Sequence, residues 1–348
     1  MHPRAMQMPS YDVVVVGGGA AGLSAALVLG RARRRVAVID AGAPRNAPAA
    51  HMQGFLTRDG MLPADLLTVG REEADGYGVV LVEGAVTGIV NEGPSGFRVV
   101  LGESRSVSAR RLLVATGLRD ELPDIPGLRE RWAKDVLHCP YCHGFEVRDR
   151  KLGVLGGSPA AVRYAQIVRQ WSDDIVYIAP TGTLTAAERH ELTAREIGIA
   201  EGLVQQVLVD GDHLCGVKLD GDRAVPCEAL FVPPRFVPNS DLLVGLGCEL
   251  DEEGWPITDG SGLTSAAGVW VAGNVANPRA QVITAAGEGS AAAIAINADL
   301  VEDDVRNAVR TFAGGVSNSE PSKEPTRKEE GVAMTNRQPG PRLGTVPR

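Results

Sequence analysis

A glycine-rich turn near the start of the chain constrains the fold more than any other feature. The pattern Gly17-x-Gly19-x-x-Gly22 lies between an apolar run over residues 12–16, typical of a buried parallel strand, and a segment of helical composition. Its glycines permit a tight turn, close approach of a pyrophosphate and close packing of helix on strand. Asp40 ends the next apolar run, where an acid binds a ribose hydroxyl. Together these features predict a dinucleotide-binding βαβ unit rather than an ordinary glycine turn.

A second βαβ pattern begins at Lys151, with a helix predicted over residues 159–171 and a strand over residues 174–179. A later apolar run, residues 268–274, precedes an alanine-rich helix predicted over residues 281–299. Proline-containing segments at residues 118–127 and 233–239 are predicted to cross between domains. The order predicts an α/β fold in which one nucleotide-type unit is interrupted by another and then resumed.

Length and charge exclude several classes of protein. A chain of 348 residues favours two or three domains, and a net charge of −8 argues against a nucleic-acid or anionic-membrane surface. No apolar run reaches the roughly 18 residues of a membrane span, and the N-terminus has no apolar signal core. We therefore predict a cytoplasmic protein. The polar segment over residues 314–348 is predicted to be a disordered tail, with a partner-binding segment as the alternative.

A cysteine pair supplies the second motif that carries chemistry. Cys139 and Cys142 form a C-x-x-C flanked by His138 and His143, a pattern that indicates redox or metal chemistry. Zinc requires a tetrahedron of ligands, which adjacent His and Cys residues do not easily close, and there is no second C-x-x-C. Redox chemistry is therefore favoured over zinc and over two buried structural cysteines. The other cysteines are predicted to be small core residues: Cys215, Cys227 and Cys248.

The two flanking histidines are candidates for proton transfer. Either His138 or His143 could lower a thiol pKa or carry the proton of a thiol near neutral pH. The alternative for each is a hydrogen-bonded neighbour without a role in the chemistry. A long segment without clear periodicity, residues 46–60, is a further candidate for lining the substrate site.

These motifs together resemble the low-molecular-weight thioredoxin reductase family over nearly the whole chain to about residue 312. The resemblance also rests on ATG at residues 115–117, VPNSDLL at residues 237–243, and GVWVAGN at residues 268–274 followed by RAQ at residues 279–281. It implies two Rossmann-like three-layer ββα domains. An FAD-binding domain, residues 1–118 and 241–313, would be split around a central pyridine-nucleotide-type domain, residues 119–240, that carries the C-x-x-C. The resemblance further implies a homodimer.

The resemblance also implies individual roles. Cys142 would be the thiol next to the flavin, Cys139 the thiol that exchanges with substrate, and Asn274 would stand where the family has an acid at the ribityl chain. Gln281 would begin a helix whose positive end faces the flavin pyrimidine. The predicted FAD-binding residues are Gly17, Gly19, Ala20, Ala21, Gly22, Asp40, Ala115, Thr116, Gly117, Gly273, Asn274, Gln281 and Val282.

The chain departs from the family pattern at three places. His143 replaces the acid that usually follows the second cysteine. In the central glycine loop, Ser158 adds a side chain where the backbone should approach a pyrophosphate, and Pro159 removes an N–H donor. After the strand over residues 174–179, both the paired arginines for a 2′-phosphate and an acid for a ribose are absent. A role for NADPH is therefore doubtful.

Three functions remain open from the sequence. With HCPYCHGFE at residues 138–146, the chain looks most like the dithiol oxidase branch of the family, the gliotoxin- and holomycin-type disulfide-forming oxidases. A small-molecule dithiol would then reduce the cysteine pair, the pair would reduce FAD, and O2 would reoxidise it. The alternatives are an NADPH-dependent thioredoxin or disulfide reductase and a non-catalytic flavoprotein redox sensor that uses the tail as an interaction arm.

Overall fold

The computed structural model describes residues 9–102, 105–158 and 160–316. Its α-helices are α1 (Ala20–Arg31), α2 (Pro63–Asp75), α3 (Pro140–His143), α4 (Ala161–Val168), α5 (Ala186–Ala194), α6 (Asp241–Gly245) and α7 (Val282–Val316). Its strands are β1 (Ser10–Val16), β2 (Val36–Asp40), β3 (Val80–Glu83), β4 (Val86–Asn91), β5 (Phe97–Leu101), β6 (Arg105–Val114), β7 (Leu118–Glu121), β8 (Val136–Leu137), β9 (Leu152–Leu155), β10 (Ile175–Ala179), β11 (Gly198–Glu201), β12 (Val204–Asp210), β13 (His213–Leu219), β14 (Ala224–Pro226), β15 (Ala229–Phe231), β16 (Arg235–Pro238) and β17 (Val269–Val271).

The first sheet joins strands from both ends of the chain. Its order is β3-β2-β1-β6-β5-β4, and β17 also pairs with β6, so the chain returns to this sheet after a long excursion. Strands β1, β2, β3, β6 and β17 are parallel where they pair with one another, whereas β4 and β5 are antiparallel additions. One face of the parallel strands packs on α1 and α7, and the other packs on α6 and on the antiparallel extension through β5. This burial on both faces explains the unbroken apolar runs in β1 and β2.

The second sheet is built from the residues between these two contributions. Strands β11-β10-β9-β15-β8 are all parallel, and α4 packs on one face. A three-stranded antiparallel sheet, β12-β13-β14, covers the other face. The predicted α/β class and the split arrangement of two Rossmann-like units are confirmed. The predicted domain boundaries at residues 118 and 240 stay a prediction.

The two crossing segments pair with each other. Strands β7 and β16 form an antiparallel ribbon with Arg119 opposite Val237 and Glu121 opposite Arg235. The chain therefore leaves the first sheet and returns to it along adjacent strands. Because β7 and β16 are hydrogen-bonded to each other, each crossing segment is held by the other.

Several predicted elements have different ends in the structure. The helix predicted over residues 159–171 is α4, Ala161–Val168, and the helix predicted to end at residue 299 continues to Val316 in α7. Because no proline or glycine lies between residues 300 and 313, the helix can continue as far as the Gly314-Gly315 pair. The predicted tail begins at residue 314, but residues 314–316 are helical, and residues 317–348 lie outside the described residues.

The described residues up to 302 form one compact unit, which contains all the sheets given above. The second unit, residues 303–348, is described over residues 303–316, which are helical. Over the described ranges, no helix is both long enough and apolar enough to cross a membrane.

Candidate active site

The first glycine loop has the geometry that the sequence predicts. Gly17 has a φ of +106°, and a Cβ there would lie 2.3 Å from the Ala115 carbonyl oxygen, so only glycine fits. A Cβ at Gly22 would lie 1.9 Å from the Gly17 carbonyl oxygen, which shows how closely α1 meets the loop. A Cβ at Gly19 would meet no atom within 4 Å. The open side of the loop at Gly19 is therefore free for a ligand.

The N-terminus of α1 faces this open side. Gly19 is the N-cap and supplies no side-chain hydrogen bond, so the first-turn N–H groups of α1 have no capping side chain. Such a helix N-terminus is a suitable site for a pyrophosphate. At the end of β2, Asp40 pairs with the Arg71 guanidinium of α2 at 2.9 Å. These residues fit the pyrophosphate and ribose of FAD.

Two further segments border the same space. Thr116 is tied to Asn239, whose side-chain N–H donates to the Thr116 carbonyl oxygen at 2.9 Å. After β17, the Asn274 amide donates to the carbonyl oxygens of Asn277 and Ala280, each at 2.9 Å. These bonds close the turn that leads into Gln281, the residue directly before α7. Asn274 thus holds the turn in shape and also lines the cavity described below.

Cys139 and Cys142 form a disulfide at the start of the short helix α3, with their Cα atoms 5.2 Å apart. The Cys142 N–H donates to the Cys139 sulfur at 3.2 Å. The predicted redox pair is therefore present as a disulfide, and among the described residues no cluster of His, Cys, Asp and Glu is arranged to hold a metal ion. A backbone N–H on the Cys139 sulfur would stabilise a thiolate there once the disulfide is reduced.

The prediction for the remaining cysteines is partly wrong. Cys227 and Cys248 are buried, but Cys215 is exposed. Strand β13 turns Leu214 and Val217 into the core, and its register against β12 shifts next to this point. The pKa of the buried Cys227 thiol is raised to about 12, mainly by its burial, so this thiol is not a nucleophile at neutral pH.

His138 lies in an aromatic and charged enclosure. Its ring stacks on Trp132 with centroids 5.7 Å apart and meets the edge of Phe236 at 5.9 Å. The Arg45 guanidinium approaches its Nε2 atom to 3.4 Å. Burial and the charge of Arg45 lower the His138 pKa to about 4, against the opposing pull of Asp120. His138 is therefore uncharged at neutral pH.

His143 is the last residue of α3 and directly follows Cys142 in the chain. Burial lowers its pKa, and the charge of Glu146 acts in the opposite direction. The Glu146 carboxylate also accepts a hydrogen bond from Gln53 at 3.2 Å, which ties the loop after β2 to the chain that follows α3. Two histidines with lowered pKa values thus flank the cysteine pair, and both favour the neutral form that accepts protons.

One cavity of about 1340 Å³ connects the glycine loop to the disulfide. A typical ligand site measures about 300–1,000 Å³, so this cavity has room for a large cofactor and a substrate. Part of the 46–60 segment borders it, as predicted. Of the predicted site residues only Gly22 does not line it, which agrees with a purely packing role. The lining includes Gly17, Gly19, Ala20, Ala21, Asp40, Ala115, Thr116, Gly117, His138, Cys139, Cys142, His143, Gly273, Asn274, Gln281 and Val282.

The central glycine loop, which begins at residue 156, differs from the first glycine loop in what lies beneath it. Tyr177 of β10, 2% exposed, places its hydroxyl beneath the loop, 2.5 Å from where a Gly156 Cβ would stand. The space beneath this loop is therefore occupied by a side chain of the protein itself. Ser158 also belongs to this loop, whereas Pro159 lies outside the described residues.

Charged groups from other elements lie near the loop after β10, and inspection of the adjacent sequence missed them. Glu201, at the end of β11, accepts a hydrogen bond from the Gly182 N–H at 3.3 Å and pairs with Arg189 at 3.0 Å. An acid and an arginine therefore do lie near the loop after β10, but they come from other elements. They neutralise each other, and neither charge is left unpaired for a ribose or a 2′-phosphate.

Comparison with known proteins identifies the class to which this fold and site belong. Residues 11–289 match the family model described as pyridine nucleotide-disulphide oxidoreductase. The chain belongs to this family and is a flavin-dependent, thioredoxin reductase-like oxidoreductase that acts on dithiols or disulfides.

Two solved structures and one further relative are similar to this chain over most of its length. The crystal structure of HlmI is 56% identical, covers 88% of this chain and 98% of its own, and superimposes with a TM-score of 0.85. A putative thioredoxin reductase TrxB from Bacillus anthracis is 32% identical, with coverages of 84% and 99% and a TM-score of 0.80. Thioredoxin reductase sirT from Leptosphaeria maculans is 30% identical over 321 residues, which are 85% of this chain and 96% of that protein.

The neutral state of His138 predicts a pH-dependent stability. The His138 pKa is about 4 in the folded protein against an ordinary 6.5, so the unfolded chain binds more protons between these values. Stability contributed by the neutral ring is complete above about pH 6.5 and is lost as the pH falls through about 4. We expect urea unfolding at pH 7 and pH 4.5 to show a smaller loss of stability for His138→Gln than for the wild type. The exposed His190→Gln should behave as the wild type; equal losses in all three proteins would contradict the prediction.

Proposed function

We propose that this protein oxidises a small-molecule dithiol to a disulfide through the Cys139–Cys142 pair, with FAD as cofactor and O2 as the final electron acceptor. The observation that carries the proposal is the cavity that joins the FAD-type loop directly to the disulfide, in a chain whose central loop is filled by Tyr177. Electrons can enter at the disulfide without a nicotinamide site. The resemblance of residues 138–146 to the dithiol oxidase branch supports the same conclusion.

The exchange requires two displacements at sulfur. A substrate thiolate attacks the Cys139 sulfur, which breaks the Cys139–Cys142 bond, forms a mixed disulfide and releases Cys142 as a thiolate. The second substrate thiolate then attacks the substrate sulfur of the mixed disulfide and releases Cys139. The product is a disulfide, and the enzyme holds both electrons as a cysteine dithiol. The Cys142 N–H stabilises the Cys139 thiolate that leaves in the second step.

Each substrate thiol must lose a proton to become a thiolate. Neutral His138 and His143 line the same cavity as the disulfide and would accept these protons. Bound FAD would supply a two-electron acceptor for the cysteine dithiol. O2 could then reoxidise the reduced flavin, with hydrogen peroxide as the product. The first glycine loop, α1, Asp40 and the turn at Asn274 would hold it. The homodimer implied by the family resemblance stays a prediction.

A second candidate is an NADPH-dependent thioredoxin or disulfide reductase. The names of sirT and of the Bacillus anthracis protein favour it. The Tyr177 ring beneath the central loop and the Glu201–Arg189 pair argue against a dinucleotide in the central unit.

Anaerobic titration of the FAD-loaded protein decides between the two. We expect a small vicinal dithiol to bleach the flavin absorbance stoichiometrically, and NADPH to leave it unchanged over the same time. Admission of air should then restore the flavin and yield one hydrogen peroxide per disulfide formed. Rapid bleaching by NADPH without bleaching by dithiols would overturn the proposal, and NADPH-driven reduction of a thioredoxin would establish the alternative.

A further inference from the structure

A charged pair reaches His138 from outside the cysteine motif. Arg45 lies in the loop after β2, and both its Nε and Nη2 atoms donate to the Asp120 carboxylate of β7, at 2.9 and 2.7 Å. The same Nη2 atom stands 3.4 Å from the His138 Nε2 atom. Arg45 and Asp120 are 23% and 11% exposed, so water screens this pair only weakly. The pair lies at the cavity wall.

Aromatic rings restrict the movement of both Arg45 and His138. The Arg45 guanidinium lies over the Phe236 ring at 5.1 Å, and His138 is held between Phe236 and Trp132. The Tyr164 hydroxyl of α4 donates to the His138 carbonyl oxygen. Because the backbone, the ring faces and the Nε2 side of His138 all have partners, its ring has little freedom to reorient.

The charges around His138 have opposite effects that can be separated. Arg45 and His143 disfavour a proton on the ring, whereas Asp120 favours it. The Tyr164 hydroxyl stays protonated because burial raises its pKa, so it adds no charge. While Arg45 is present, it forms a bidentate ion pair with the Asp120 carboxylate. The positive charge of Arg45 then offsets the attraction of Asp120 for a protonated His138. Loss of Arg45 alone would leave an almost buried carboxylate facing His138.

We propose that Arg45 and Asp120 are positioning residues that hold the His138 ring in place and uncharged, so that it can take the proton of an incoming thiol. We assign this pair a role that acts through His138. We assign it no direct contact with the sulfurs of Cys139 and Cys142. The role in catalysis rests on the proposed dithiol oxidation, but the control of the His138 charge does not.

The test measures His138 directly in the oxidised, FAD-loaded protein without substrate. The chain has six histidines, so NMR of histidine-labelled protein can assign the His138 resonance by its loss in His138→Gln. We expect Arg45→Met to move the His138 titration upward by at least about one pH unit. Arg45→Lys, which keeps the charge, should titrate as the wild type. Arg45→Met combined with Asp120→Asn should return to low pH, because burial and His143 then act without an opposing carboxylate.

The double variant separates charge from structure. A merely structural pair predicts that removal of both partners is at least as harmful as removal of one, without recovery of the titration. An unchanged His138 titration in Arg45→Met, or no return in the double variant, would overturn the proposal. A second readout is the rate of anaerobic flavin reduction by a dithiol, whose acidic limb should shift with the NMR titration. If a dithiol does not reduce the flavin of the wild-type protein, the proposed function is wrong. The NMR titrations still test separately whether Arg45 and Asp120 control the charge of His138.

Discussion

Replacement of either Cys139 or Cys142 by serine is expected to abolish dithiol oxidation, with a loss of at least about 10³-fold in turnover. The two sulfurs form a disulfide, and with either one absent no intramolecular disulfide can store the two electrons taken from substrate. The measurement is peroxide formation with a small dithiol in air. Both variants should still bind FAD, because the glycine loop and α1 are untouched.

The two serine variants should differ in what they trap. In Cys142→Ser, Cys139 is free to form a mixed disulfide with oxidised substrate, and mass spectrometry should detect this adduct. In Cys139→Ser the adduct should be absent or much weaker, because the exchanging sulfur is gone. Equal adducts in both variants would contradict the assignment of Cys139 as the exchanging thiol.

Cys215→Ser is the matched control for this experiment. Cys215 is an exposed free thiol in β13, outside the cavity lining, so it reports on thiol exchange that does not involve the site. Its variant should keep wild-type turnover. Full activity in Cys139→Ser or Cys142→Ser would show that the site has been assigned to the wrong residues.

Alanine substitutions in the first glycine loop should separate folding from cofactor binding. Gly17→Ala places a Cβ 2.3 Å from the Ala115 carbonyl oxygen at a φ of +106°, so the backbone must move. We expect the free energy of unfolding to fall by more than about 3 kcal/mol, since steric overlap adds to an unfavourable dihedral angle. Thermal unfolding of the FAD-free protein measures this effect, and FAD should no longer be retained on dialysis.

Gly19→Ala is the matched control because its Cβ meets no protein atom within 4 Å. Its melting temperature without FAD should stay close to that of the wild type. FAD affinity should fall by at least about tenfold, because the new methyl group occupies the space that a pyrophosphate needs. Unchanged FAD affinity in Gly19→Ala would show that the cofactor does not lie against this loop.

Local pattern was sufficient for the features that depend on neighbouring residues. The apolar run of β1, the Gly17 turn and Asp40 at the end of β2 are fixed by burial and backbone geometry within a short stretch, and each occurs as predicted. The C-x-x-C pair could also be predicted from the sequence, because its two cysteines are only three residues apart. Helix ends were less predictable, since α7 continues through polar residues that its sequence tolerates but does not require.

The surroundings of the site depend on contacts between distant residues. Arg45 and Asp120 are 75 residues apart, and only the path of the chain through the β7–β16 ribbon brings them to His138. No local motif marks them; an arginine and an aspartate outside any periodic pattern are the only signal. Tyr177 similarly fills the space beneath the central loop from a neighbouring strand, although the sequence shows only an aromatic residue in an apolar run.

The sequence by itself therefore determined the α/β class, the first dinucleotide loop and the redox cysteine pair, because each is set by short-range geometry or by the chemistry of its own side chains. Only the tertiary structure decided that these elements share one cavity, that Arg45 and Asp120 surround His138 with opposing charges, and that the Tyr177 hydroxyl lies beneath the central loop. Electrostatic and steric effects act over a few ångströms of space regardless of separation along the chain, so folding alone brings their sources together.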